Sequence, residues 1–519
     1  MRVRGRDTMG IARGGERGTW VTGSYGGSAG SGPDVVEIRD ASTDRARMID
    51  GWDQRLVRAL TMLGFGLPVL SYLWFTLAYS VNVVVSDQFD DVTVIRAADH
   101  QFLPWGVLWA QHNETRIFFP NLIVLLLAHT TRFNIQIEEI VGAGMLLVAV
   151  TLLIWVHKRR SPDVPWLYYV PVAIIMLTLA QWQNTLWGFQ MAWFLVLLML
   201  ALTIFFLDRS VLTWWACGCA IATSVIGSYS LIQGFILWPL GLFLLYHRRR
   251  SWKVAGVWAA VAAGSLAFYL HAFDTNAGNA YPGYAINHPV ASVRFLLFLL
   301  GDVVGQNVHV GHFGNPAVVA IGFLILLVAV VTAMFYGITR DEVSGGPIGV
   351  ALIVMGLLFA AMVTKGRMVF GDWAGSQSRY VTFDLMVPLG AYLAILGRRA
   401  RRGSGVGGVW DGHVPASGLR SIGSVLSRLP AWGDRYALVG IRAVVGCVLV
   451  VQLAVSIPNG ISNGRQTHAY DLNAANVLRH YQTTPDQALV FYLNFFAKPD
   501  FVRSRARYMQ THNLSLFAP

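Results

Sequence analysis

Apolar runs of about 20 residues, the length a helix needs to cross a bilayer's hydrocarbon core, recur along this chain from Ala59 to Ile457. In lipid a helix satisfies its own backbone, whereas an open sheet leaves N–H and C=O groups unpaired. The 519 residues are 55% hydrophobic and 13% charged, with a mean hydropathy of +0.50, too apolar for a water-soluble core to conceal. The fold class that follows is all-α and polytopic, with about eleven transmembrane helices.

The spans fall at about Ala59 to Val85, Ile140 to Val156, Trp166 to Gln181, Trp187 to Leu207, Leu212 to Ser228 and Leu231 to Tyr246. The later ones are Val254 to Phe273, Ala317 to Ile338, Ile348 to Val363, Tyr380 to Leu396 and Ala437 to Ile457. Basic residues in short loops set the orientation. With the N-terminus cytoplasmic, Lys158 to Arg160, Arg248 to Arg250 and Arg398 to Arg402 lie inside, and the turns near Gln183 and Ser230 carry no such charge. The loops Ser86 to Gln136, Asp274 to Asn315 and Thr364 to Arg379 then lie outside, together with the C-terminal tail from Pro458. Ile117 to Thr131 and Val293 to Leu300 are too short to span and read as helices lying in the outer interface.

This organises the chain into a basic, disordered N-terminal region (1–56), a multispanning core (57–397) and a cytoplasmic linker (398–435). A last span (436–457) and a small extracytoplasmic tail (458–519) complete it. The expected location is the inner (plasma) membrane. The net charge of +12 comes largely from arginines beside apolar runs, so it serves topology and implies no nucleic-acid partner. Cys217, Cys219 and Cys447 all fall inside spans, which excludes a disulfide framework.

Chemistry-bearing residues gather in the first outer loop, where Asp87, Asp90 and Asp91 follow the first span and His112, Asn113, Glu114 and Arg116 precede Phe118-Phe119-Pro120. Carboxylates at a membrane surface can orient a divalent ion on phosphate oxygens or accept a proton from a hydroxyl. Asp90 and Asp91 cannot face the same way on a regular element. Arg116 offers a bidentate phosphate contact, or plainly a pair for Glu114. The turn Gln181 to Gln190, with Trp182, Asn184 and Gln190, pairs indoles with amides, as suits a sugar face and its hydroxyls; interfacial anchoring is the plain alternative. Gln233 lies at the same outer edge. Lys365, Arg367 and Arg379 break the positive-inside trend, and an anionic ligand would explain them.

Together these features resemble the membrane-embedded GT-C type glycosyltransferases, which use polyprenyl-phosphate sugars. Members begin with an inside N-terminus, one span and a long outer loop bearing acids and interfacial helices. Asp90 or Asp91 matches the first acid and Glu114 the second. Gln111 to Pro120, Trp182 to Gln190 and Ser378 to Phe383 look like segments of bacterial multispanning proteins of that superfamily, and the likeness covers about Ala59 to Leu396. It implies inverting transfer of a hexose or pentose from a polyprenyl-phosphate donor to an envelope acceptor. Asp90 or Asp91 would act as base. Glu114 would assist, or with Asp87 and Asp90 hold a divalent cation, magnesium or manganese, while Lys365 or Arg379 would stabilise the departing phosphate. A lipid or glycan transporter is the rival, but few ionisable residues fall inside the predicted spans. A non-catalytic membrane scaffold is the third reading. Its partner-binding element would be the tail, where Thr483-Thr-Pro-Asp486 marks a helix start.

Overall fold

The structure, a computed structural model, describes residues 41–274, 282–304, 316–337, 344–403, 443, 445–495 and 497–519. The expected linker beyond Gly403 and most of the expected N-terminal region lie outside the described residues. The chain forms two compact units, Met1–Arg55 and Leu56–Pro519, and all that follows concerns the second.

In chain order the elements begin with α1 (Ala41–Tyr79), α2 (Gln88–Ala98), α3 (Trp105–Leu108), the strands β1 (Gln111–His112) and β2 (Thr115–Arg116), α4 (Phe118–Thr131) and α5 (Ile135–Arg160). Next come α6 (Val170–Met176), α7 (Trp182–Thr185), α8 (Met191–Leu207), α9 (Trp214–Ser228), α10 (Leu237–His247), α11 (Trp252–Leu270), α12 (Pro282–Asn287) and α13 (Pro289–Gly301). The series ends with α14 (Pro316–Gly337), α15 (Gly346–Arg367), α16 (Asp372–Gly375), α17 (Ser378–Asp384), α18 (Met386–Gly403), α19 (Val445–Arg479), α20 (Asp486–Leu493) and α21 (Pro499–Thr511).

Eight helices among the described residues are long and apolar enough to cross a membrane, and each coincides with a predicted span. The other three predicted spans differ. Trp214–Ser228 and Ile232–His247 are apolar helices of 15 and 16 residues, about 22 and 24 Å long, against a hydrocarbon core of about 30 Å. The stretch 166–181 is no continuous helix: a 3-10 turn follows Pro165, α6 carries Pro171 in its first turn, and the chain breaks at Leu177 and Thr178. The break is tolerated because side chains satisfy the freed backbone: Gln181 Nε2 donates to the Met176 carbonyl at 2.6 Å and Thr178 Oγ1 accepts from Ala180 N at 3.3 Å.

Small residues let the long helices approach closely. A Cβ on Gly349 would stand 2.4 Å from the Gly390 carbonyl, so α15 and α18 pack backbone to backbone. The main apolar core fills the bundle between them and α5, α8 and α10.

The last span runs further than predicted. It continues through a π-helical turn, Gln452–Ser456, and past Pro458 to Arg479; the proline sits directly after the π segment, in the first turn of the α-helix that resumes there. The tail then folds back onto the first loop. Val84, Phe89, Val92 and Ile95 share a second apolar core with Leu478, Leu489, Val502 and Met509. Ser86 N donates to the Leu493 carbonyl at 2.5 Å, and Ser515 N to that of Arg132 at 2.7 Å. Loop and tail therefore form one folded layer.

Candidate functional site

The site is assembled where α2, the β1–β2 hairpin, the start of α5 and the 181–190 segment meet. α2 is a natural helix: Asp90 and Asp91 complement its positive end and Arg96 its negative one. Consecutive helical residues diverge by about 100°. Asp91 is accordingly 2% exposed, on the side of the buried Phe89 and Val92, while the Asp90 side chain is half exposed.

The hairpin pairs Gln111 with Arg116 and His112 with Thr115 around a two-residue turn in which Asn113 takes a left-handed φ of 49°. His112 points back at α2, its Nδ1 3.4 Å from Asp90 Oδ2 and its Nε2 3.7 Å from Asp87 Oδ2. Burial works against charge on this ring, but the two carboxylates outweigh it and raise His112 to about 10. The histidine stands as a cation between two acids.

Behind it lies Glu138, in the first turn of α5, fully buried, accepting from Gln88 Nε2 at 3.3 Å. Burial first, then the Glu138 and Asp90 charges, push Asp91 well above the usual carboxylate range. Gly188 closes over this pair: a Cβ there would sit 2.4 Å from Glu138 Oε2. Phe189 rests 5.1 Å from the His112 ring and 5.7 Å from Trp187, giving the acids an aromatic wall.

The other predicted residues divide into those near this wall and those that serve as supports. Arg116 is a correction. Its guanidinium is turned inward, donating to the carbonyls of Tyr269 (3.0 Å), Trp109 (2.7 Å) and His271 (2.9 Å) over the Trp109 ring, so it anchors the hairpin rather than facing a phosphate. Glu114, at the hairpin tip, is ion-paired with Arg367. Asn113 is exposed at the turn, and its carbonyl accepts from Gln111. Asn184 Nδ2 donates to the Arg379 carbonyl and to Thr382 Oγ1, both at 2.8 Å, and Gln183 Oε1 receives Arg379 N, so the segment holding Trp182 fixes the start of α17. Gln190 is buried beside Phe189, and Gln233 sits in a separate 3-10 turn, Ile232–Ile236. Of the expected basic cluster, Arg367 has Glu114, and Asp372 pairs with Arg294 at 2.9 Å. Lys365 and Arg379 have no acidic partner among the described residues.

The expected metal set does not assemble. Among the described residues no group of three or more His, Cys, Asp or Glu side chains is placed to hold a metal ion. His112 occupies the space between Asp87 and Asp90, and Glu114 is engaged elsewhere. Two features lay outside the sequence reading. Glu138 falls between the predicted first outer loop and the predicted span from Ile140, and Glu138-Glu139 ahead of an apolar run is its visible signal. Asp384, inside the Ser378–Gly397 span and fully buried, is one of the few ionisable groups within a span.

Polar atoms left unsatisfied mark the same strip. Among the described residues, Asp91 Oδ2, Glu138 Oε1, Glu114 Oε2, Asn184 Oδ1 and the indole nitrogens of Trp182 and Trp187 are buried without a hydrogen-bond partner. Buried polar groups are ordinarily paired, so each of these atoms has capacity for a further partner; other such atoms lie elsewhere, on Asp384 and Gln452 among others.

Fold and site together define a polytopic α-helical membrane protein with a polar, partly unsatisfied site where its first loop meets the helix bundle. No protein-family model matches the chain, and no curated protein sequence does. One solved structure is similar to it: the archaeal oligosaccharyltransferase AglB from Archaeoglobus fulgidus, in complex with an inhibitory peptide and a dolichol-phosphate. The similarity has a TM-score of 0.39 and 14% identity, and covers 85% of this chain and 60% of that one. The chain thus spans less than two thirds of that protein's length, and the reading below stands on this chain's own residues.

Proposed function

We propose that this chain is an integral membrane glycosyltransferase of the GT-C type, moving a hexose or pentose from a polyprenyl-phosphate donor to an envelope acceptor at the outer face of the plasma membrane. The observation that carries the proposal is the strip of unpartnered buried atoms beside the Trp187–Phe189 wall. It mixes donors (two indole N–H groups) with acceptors (carboxylate and amide oxygens), which matches a ligand bearing many hydroxyls better than a simple ion. Aromatic faces beside hydroxyl-reading groups are the usual chemistry of sugar recognition.

In this reading Asp90, the exposed carboxylate of the pair, takes the proton of an acceptor hydroxyl. The acceptor oxygen then bonds to the anomeric carbon while the bond from that carbon to the phosphate oxygen breaks. The departing phosphate is received by Arg379 and Lys365, which have no acidic partner among the described residues. His112 holds Asp90 in place and Asp91 stays neutral behind it. The site residues do not fit a divalent cation, so no step is routed through one.

Purified protein in vesicles, supplied with short-chain polyprenyl-phosphate sugars, tests this directly. Asp90→Asn should slow transfer by roughly 10²- to 10⁴-fold, the range of a lost general base, in protein that still folds. Full transfer by the variant would overturn the assignment. The transport reading draws support from Asp384, whose carboxylate oxygens are both buried and unpartnered among the described residues inside a spanning helix. In the same vesicles, lipid-linked sugar that crosses the bilayer but is never transferred would belong to that reading.

A further inference from the structure

The loop-and-tail layer contains a cleft that the transfer site does not use. It measures about 650 Å³, within the range of ligand pockets, and lies between the C-terminal end of α2 and the face of α21. From α2 comes Arg96, with Asp99 and His100 just beyond its end. From α21 come Arg503, Arg507 and Tyr508, with His512 just beyond.

The sequence of α21 explains how its arginines reach the cleft. Pro499 and Asp500 start the helix, and Val502, Ala506 and Met509 at helical spacing are buried in the second apolar core. Arg503 and Arg507, four apart, share another face. Their surroundings differ. Arg503 is fixed by Asp486 at 2.6 Å and by the Thr484 carbonyl at 2.9 Å. Arg96 and Arg507 are exposed and have no acidic partner among the described residues. Asp99 keeps its charge in the cleft, its Oδ2 accepting the Tyr508 hydroxyl at 2.6 Å and lying 3.7 Å from His512, but it forms no ion pair with either arginine among the described residues. Asp500 also lines the cleft and offsets one positive charge.

Arg505, from the third side of α21, reaches across to α2, donating to Thr93 Oγ1 through Nε at 3.2 Å and Nη2 at 3.1 Å. It senses Arg96 on one side and Asp90 on the other. Asp90 and Arg96 are six residues apart on α2, about 9 Å along its axis. Arg505 therefore stands against α2 between the cleft and the proposed base.

From this arrangement we infer that the cleft binds an anionic glycan, a hydroxylated chain carrying carboxylate or phosphate groups, and directs it along α2 toward Asp90. Guanidinium groups suit both anions, and the hydroxyls of Ser504, Thr511 and Tyr508 in the cleft wall suit the sugar hydroxyls. As a binding site the cleft is independent of the transferase reading; as the acceptor's seat it rests on that reading.

Titration calorimetry on the full chain in neutral detergent, with a linear galacturonic acid oligomer as probe, tests the inference. Its methyl-esterified neutral counterpart and vesicles of anionic phospholipid serve as comparison ligands. The charged oligomer should bind in a salt-sensitive manner, and the Arg96→Ala/Arg507→Ala double variant should weaken it roughly tenfold or more, with Arg96→Lys/Arg507→Lys retaining most of the affinity. Asp90→Asn should retain the salt-sensitive binding while slowing transfer, which separates failure of the cleft from failure of the transferase reading. Equal binding of the neutral oligomer, no loss in the double alanine variant, or binding to the vesicles alone would each overturn the inference.

Discussion

The two ends of α5 carry opposite solutions to the same problem. Glu138 near its start and Arg160 at its end are 22 residues apart, about 33 Å along the axis. At the far end a single carboxylate, Asp208, is fully buried yet completely served. Arg160 Nε lies at 2.8 Å and Arg248 Nε at 2.5 Å, and the Asp208 carbonyl accepts from Arg159 and Arg160 at 2.7 and 2.8 Å. At the near end Glu138 and Asp91 are equally buried but each keeps an oxygen without a partner. The helix dipole favours acids at the start and bases at the end, so both placements are sound. Only one of them is complete. A satisfied buried network serves the fold, whereas an unsatisfied one is a cost retained for another purpose.

The largest expected effect falls on the complete end. Asp208→Ala leaves three guanidinium groups facing one another in a buried setting and should destabilise the protein by about 3–5 kcal/mol. Thermal unfolding in detergent would register this, while the transfer rate per folded molecule stays at the wild-type level. The opposite end should answer with the opposite pattern. Glu138→Gln keeps the shape, retains an acceptor for Gln88 and removes a buried charge, so stability should hold or rise by about 1 kcal/mol while transfer falls at least tenfold. If the glutamine variant instead melts as early as Asp208→Ala, Glu138 is structural and the contrast between the two ends collapses.

The sequence carries this contrast unevenly. The eight long spans are legible because lipid imposes one simple rule on every buried face. The break at 166–181 was signalled by Pro165 and Pro171, but its apolar composition is that of a span, and the rescue by Gln181 and Thr178 depends on tertiary placement. Asp87, Asp90 and His112 belong to one loop, so their proximity could be expected. Arg116 shows where such reasoning stops. Two of its partners, the carbonyls of Tyr269 and His271, lie more than 150 residues away, and backbone carbonyls have no sequence signature. The layer formed by loop and tail is hidden for the same reason, since Phe89 and Met509 meet only in the folded chain.

The subtlest expected effect decides whether His112 acts as the cation that replaces a metal. Its imidazole is raised to about 10 in the folded protein, against about 6.5 when unfolded. The folded state thus binds the proton more tightly, and the stabilisation is fully present below pH about 6.5 and lost as pH climbs through about 10. The melting temperature should therefore decline between neutral pH and pH 10, and His112→Gln should flatten that decline. Because Asp90 is half exposed, added salt should weaken the slope as well. A variant that keeps the full slope would mean that the ring is neutral and the carboxylates are paired by something else, and the proposed base would then lose the group that holds it in place.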